Sequence, residues 1–148
     1  MLDVGCGRGR VASHIASVTG AHVTGVNIDP GQLESAQKSA LKSGLSDRCH
    51  FQFGDLNELP FSFPNSSFDA IYEIQVFSLS KHLEKLFRDI YRMLKPGWKF
   101  GCLEWVLLDT YDPKNSHHTG LMKQIKPLIG AIGNPTPKHY TQAMKKAG

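Results

Sequence analysis

The run Asp3-Val4-Gly5-Cys6-Gly7-Arg8-Gly9 is the first place where residue types and spacing point to chemistry. Glycine has no Cβ, so three of them at every second position let a loop turn tightly and bring its backbone against a ligand. Alone the pattern is weak, because a turn that needs positive φ uses the same residues. Its third glycine comes one residue earlier than in the GxGxxG of dinucleotide sites, and a carboxylate, Asp3, stands just before it. Both features disfavour a pyrophosphate on the following helix. They favour a ligand whose amino-acid tail profits from a nearby negative charge. Asp3 orienting that tail is compatible with Asp3 accepting from amides of its own loop. Asn27 ends an apolar run, where it either meets sugar hydroxyls or makes an Asx turn. Glu104 sits in an apolar stretch, where an unpaired carboxylate is costly. It therefore has a partner or faces a cleft, and it is the candidate base. Tyr72, Phe77 and Trp105 either line an apolar pocket facing a developing cation or pack in the core. His117-His118 has no carboxylate or cysteine at ligand spacing, so the pair reads as surface loop and no metal is expected.

The elements that must position these residues alternate between strand-like and helix-like stretches, which predicts βαβ units and a parallel sheet. Strands are expected at Leu2–Val4, His22–Ile28, His50–Phe53, Phe68–Ile74 and Trp98–Val106. A helix over Arg10–Val18 would bury Val11, Ile15 and Val18. The next starts at Asp29-Pro30-Gly31-Gln32, with Asp29 as cap, Pro30 at the first position and Gln32 completing a capping box, and it ends near Ser43. Lys81–Lys95 carries Leu83, Leu86, Phe87, Ile90, Tyr91 and Leu94 on one stripe, with Pro96-Gly97 as its stop. Short helices follow near Leu121–Ile132 and Pro137–Ala147. Right-handed crossovers then leave a doubly wound α/β sheet of order 3-2-1-4-5.

The same residues resemble the class I S-adenosylmethionine-dependent methyltransferases. Leu2–Gly9 looks like their first motif, and Gly54-Asp55 like the pair whose carboxylate meets the adenine amino group. Pro60-Phe61, Ser67–Tyr72 and Leu94-Lys95-Pro96-Gly97 look like later markers in family order. Within that superfamily the sterol C-methyltransferases are most similar, through Thr19–Val23, Gly25-Val26-Asn27 and the run Glu104-Trp105-Val106, Asp109, Tyr111-Asp112. The resemblance implies a Rossmann-like fold and methyl transfer from S-adenosyl-L-methionine to carbon of a sterol or similar apolar lipid. It implies a cofactor set of Asp3, Gly5, Cys6, Gly7, Gly9, Asn27, Ile28, Gln32, Gly54, Asp55, Leu56 and Gln75. It implies Glu104, Tyr72 and Gln75 as the catalytic candidates. A methyltransferase for a small polar acceptor, or a cofactor-binding homologue without activity, is the alternative. One departure stands out: where the family carries a Glu-Ala-Thr-Cys-His run, this chain reads Gln75-Val76-Phe77-Ser78-Leu79. Either the acceptor differs or activity is impaired.

Composition narrows the class further. With 148 residues, 41% hydrophobic and 20% charged, one globular domain with one core is expected. No apolar run approaches the roughly 20 residues of a membrane span. Three lone cysteines, at 6, 49 and 102, favour a reducing compartment over a disulfide framework. Residues 1–112, the expected cofactor-binding core, carry 11 Lys+Arg against 13 acids, whereas residues 113–148 carry six lysines and no acid. That basic extension admits peripheral contact with an anionic membrane, although a solvated face is the plainer account. Its lysines lack interleaved aromatics, so nucleic acid is not expected. The expected location is cytoplasmic, with association to the endoplasmic reticulum membrane admitted by the family. Both ends look cut, the first strand starting only three residues before its loop, and an exposed fifth-strand edge would favour self-association.

Overall fold

Leu2–Val4 is buried at every position and Val23–Asn27 at four of five, so apolar side chains stand on both faces of one sheet and helices must cover each face. The computed structural model describes residues 1–133 and 135–148. Its elements are β1 (Leu2–Val4), α1 (Arg10–Thr19), β2 (Val23–Asn27), α2 (Pro30–Lys42), β3 (Cys49–Phe53), β4 (Phe68–Ile74), α3 (Leu83–Met93), β5 (Leu94–Leu103), α4 (Ser116–Ile129) and α5 (Pro137–Ala147), with a 3-10 turn at Phe77–Leu79. The sheet order is β3-β2-β1-β4-β5, every neighbouring pair parallel, as the alternation predicts. One core packs Ala12 and Ala16 of α1 and Leu33, Ala36 and Ala40 of α2 on Val23, Cys49 and Phe51. The other packs Leu86, Phe87, Ile90 and Met93 of α3 and Tyr140 and Ala143 of α5 on Leu2, Val4, Val26 and Ile71. Residues 137–148 thus share a core with the first strand.

Several boundaries differ from those read from sequence, each for a local reason. Helix α1 buries its alanines and leaves Val11 and Val18 exposed, because small side chains let it approach β2 closely. Asp29 caps α2 by accepting from Gln32 N at 3.0 Å, but the Gln32 side chain does not close a capping box. It turns instead to Asn27. Helix α3 stops at Met93, and Lys95–Trp98, with Pro96-Gly97, forms an irregularity inside β5, where the register with β4 jumps from Phe68↔Leu94 to Ala70↔Lys99. Strand β5 ends at Leu103, so Glu104 lies just past the strand rather than within it. Helix α4 begins five residues earlier than expected, because the Asn115 side chain caps it by accepting from His117 N and His118 N. His117 and His118 are therefore helical, with His118 Nδ1 accepting from Asp112 N at 3.0 Å, and no cluster of metal-ligating side chains occurs among the described residues.

Candidate functional site

The glycine loop lies across the C-terminal end of β2, where Gly5 N and Cys6 N both donate to Val26 O at 2.8 and 3.0 Å. Gly5, Gly7 and Gly9 all have positive φ (+77°, +53° and +70°), but their surroundings differ. A Cβ on Gly5 would lie 2.5 Å from Val76 Cγ2, and one on Gly9 would lie 2.6 Å from the Phe51 ring and 2.9 Å from Ala36. On Gly7 the nearest atom would be Gln32 Oε1, at 3.5 Å. Two of the glycines are demanded by the protein's own packing, and Gly7 alone faces space.

Beside the loop, the ends of β1, β2 and β3 converge on a cleft of about 140 Å³. Gly5, Asn27, Ile28, Gly54, Asp55 and Leu56 line it, six of the twelve residues expected to hold a cofactor. Asn27 Nδ2 donates to Gln32 Oε1 at 3.0 Å, which leaves Oδ1 as the atom able to accept from a ligand. Asp55 lines the cleft and also makes a local turn, its Oδ1 accepting from Asn57 N at 2.8 Å. Val4, Val26, Asn57, Phe61, Val76 and Leu79 complete the lining and were not among the expected contacts. Asn57 ties the two sides together: its Nδ2 donates to Leu79 O at 3.4 Å and its Oδ1 accepts from Lys81 N at 2.7 Å. Its signal in the sequence was its place two residues after Asp55, where Asx turns recruit a neighbour.

Asp3 stands behind the loop rather than in this lining. It is buried, Oδ2 has no hydrogen-bond partner, and burial pushes its carboxyl up to about 6. Tyr72 sits opposite it in the sheet register and carries a buried hydroxyl that is likewise unpartnered. The two lie close enough for the hydroxyl to ease the carboxyl's rise, but outside hydrogen-bonding geometry. Two unsatisfied polar groups in one place are costly, and a donor arriving there would relieve both. Asp3 accepts no amide of its own loop in the geometry found. Cys6 is half-buried, and burial pushes its thiol up to about 12, which leaves it unreactive at neutral pH.

On the β4–β5 side, the structure separates residues that the sequence reading grouped. Phe77 is core, stacked on Phe100 at 5.9 Å and edge-on to Phe87 at 5.6 Å, so it does not face a pocket. Trp105 is half-exposed and lines an apolar cleft of about 200 Å³ with Met122, Ile125 and Ile129 of α4. Gln75 is exposed and lines neither cleft, its backbone left-handed (φ 59°) and its N donating to Leu103 O at 2.7 Å. Glu104 has partners after all: Oε2 accepts from Ser78 N at 2.7 Å and Oε1 from Trp105 N at 2.8 Å. Glu73, which sequence reading passed over, is only 1% exposed and borders the same turn. The cost argument that picked out Glu104 applied equally to this carboxyl in an apolar strand.

A family model described as "Methyltransferase domain" matches residues 1–97. The sterol 24-C-methyltransferase erg-4 of Neurospora crassa is 40% identical over 148 residues, covering all of this chain and 38% of the relative. The sterol 24-C-methyltransferase ERG6A of Gibberella zeae is 45% identical over 118 residues, covering 80% of this chain and 30% of the relative. Among solved structures, phosphoethanolamine N-methyltransferase 2 of Haemonchus contortus, bound to phosphomonomethylethanolamine and S-adenosylhomocysteine, superposes with a TM-score of 0.85 at 26% identity, over 100% of this chain and 32% of that one. The chain spans less than two-fifths of the length of each.

Proposed function

The chain belongs to the methyltransferase-domain family, and from that membership we propose that its cleft binds S-adenosylmethionine and that it directs the methyl group to carbon of a sterol or similar apolar lipid. The observation that carries this reading is the convergence of Gly5, Asn27 and Asp55, from three successive strand ends, on one cleft beside an open Gly7. The unpartnered atoms fit the ligand. Asp3 Oδ2 and the Tyr72 hydroxyl would be satisfied by its ammonium tail, directly or through water, and Asn27 Oδ1 would accept from a ribose hydroxyl. Asp55 and Leu56 stand where the adenine would lie, and Ile28 supports it. Gly7 admits the close approach of its backbone, Gly9 and Cys6 shape the loop, and Gln32 holds Asn27.

The bound sulfonium supplies an electrophilic methyl group, so the protein's chief task is to align it with the acceptor. Alignment of this kind can lower a barrier by roughly 7–11 kcal/mol. Glu104 is the candidate base for a proton leaving a methylated alkene: the amides of Ser78 and Trp105 already hold its carboxylate in place just past β5. Gln75, exposed one residue before Val76 of the cleft wall, would serve as a hydrogen-bonding residue. The apolar cleft between Trp105 and α4 supports a lipid acceptor over a polar one. A small polar acceptor is the second reading, favoured by the 26% identity with the phosphoethanolamine enzyme. Residues 113–148 would belong to the acceptor side of the same domain, and their lysines would permit peripheral contact with an anionic bilayer. No described helix is long and apolar enough to cross a membrane. A cytoplasmic enzyme at the endoplasmic reticulum surface, self-associating through β5, fits this reading.

Calorimetry with S-adenosylhomocysteine should give a Kd in the low- to mid-micromolar range, roughly −7 kcal/mol. NAD should not bind, and folded Gly7→Val should lose the binding. Unchanged affinity in that variant would move the site elsewhere. Turnover with methyl-labelled cofactor on a sterol panel and on phosphoethanolamine then decides the acceptor. Labelling of phosphoethanolamine alone would replace the sterol reading.

A further inference from the structure

Two carboxyls grip one turn. Glu73 Oε2 accepts from Val76 N at 3.0 Å, and Glu104 Oε2 accepts from Ser78 N at 2.7 Å, so the amides on either side of buried Phe77 are each held by a glutamate. The turn matters to the cleft, because Val76 lines it and packs where a Cβ on Gly5 would stand. It also holds Gln75 in a left-handed conformation that a non-glycine residue adopts only under constraint. We infer that Glu73 is a positioning residue: it sets the wall that Val76 presents to the cofactor cleft, and beside Glu104 it holds that wall only while it carries a proton.

The surroundings support this. Glu73 Oε1, Ser78 Oγ and the Tyr140 hydroxyl are all buried without partners. The titratable groups that face Glu73 are Glu104 beyond β5, Cys102 on β5 and Tyr140 on α5, and none is a cation. No salt bridge reaches Glu73 among the described residues. Burial, and after it the Glu104 charge, pushes the Glu73 carboxyl up to about 7. The amides of Val76, Phe77 and Leu103 offset only part of that rise. Below this point the neutral acid still accepts from Val76 N through its carbonyl oxygen. Above it, two negative charges lie behind the same turn, and the turn must shift or admit water.

The ligand assigned to the wall rests on the proposed cofactor, so the test pairs a ligand-free measurement with a ligand-bound one. Thermal melts of the whole chain without ligand should lose stability as pH rises from about 5 to about 7, the interval between the free and the buried carboxyl. Glu73→Gln keeps the shape and the acceptor but cannot ionise, so its melts should lack that part of the decline. Identical pH dependence in the two proteins would overturn the inference. S-adenosylhomocysteine affinity in the wild type should fall about tenfold for each pH unit above the buried carboxyl's midpoint, levelling off once the turn has moved. Glu73→Gln should hold its affinity over that range, and Glu73→Ala should bind weakly throughout. A pH-dependent melt with parallel binding curves for wild type and Glu73→Gln would also overturn it. If the ligand binds to neither at any pH while the melts diverge, the cofactor reading falls and the proton-dependent wall stands.

Discussion

The two halves of the sheet solve different problems. On the β1–β2–β3 side, alanines and glycines let helices and loop press onto the strands, with Gly9 and Gly25 so close to Phe51 that a single added carbon has no room. On the β4–β5 side, Phe77, Phe87, Phe100 and Tyr140 form an interlocked aromatic group, and Leu103 and Trp105 remain exposed at the edge. The first half is defined by backbone approach, the second by side-chain volume. A backbone-defined site can recognise the part of a ligand that never changes. A volume-defined site can be re-cut by substitution.

Phe87→Ala should give the largest effect that tests this contrast. Its ring packs edge-on against Phe77, Phe100 and Tyr140, so about 3–5 kcal/mol of stability should be lost in denaturant melts. A loss below about 1 kcal/mol would show that the aromatic group does not hold its half together. Gly9→Ala should follow at about 2–4 kcal/mol, combining left-handed strain with overpacking against Phe51. Gly7→Ala, with no protein atom nearer than 3.5 Å, should cost only about 1–2 kcal/mol from its φ. Equal losses at the two glycines would erase the distinction between packing and ligand space.

Asp3→Asn should separate stability from binding. Burial holds the Asp3 carboxyl near 6, above its free value of 3.8, so the folded state loses stability as pH rises from about 4 to about 6 and stays lower beyond. The variant should therefore be more stable than wild type at pH 8, by on the order of 2 kcal/mol, and no more stable at pH 4. It should also bind S-adenosylhomocysteine more weakly. Weaker binding without the stability gain would mean that the carboxyl is not strained in the free protein. Gln32→Ala should be the smallest change: Asn27 loses its orienting partner, affinity falls about tenfold, and stability moves by about 1 kcal/mol or less.

How legible each half was in the sequence follows from the same contrast. Strand order, the glycine loop and the residues at the ends of β2 and β3 could be read because turn chemistry and periodicity are local. The burial of Phe77 could not, since only the packed positions of α3, β5 and α5 decide that its ring turns inward. Glu104 was misplaced because the irregularity at Lys95–Trp98 starts β5 early and ends it early. Gln32 was read as a cap because i,i+3 spacing suggests one, whereas Asn27 lies five residues back across a loop.

The three thiols give the chain a practical handle. Cys49 is buried and Cys6 is only half-exposed, so although burial and the nearby glutamates push the Cys102 thiol up as well, its exposure should make it the first site of attack by a maleimide dye at mildly alkaline pH. That residue is on β5, two strands from the strand that feeds the glycine loop. A fluorophore there would watch the outer edge of the sheet and leave the Asp3–Gly9 loop chemically untouched, so events on one side could be timed against events on the other without engineering a cysteine-free background.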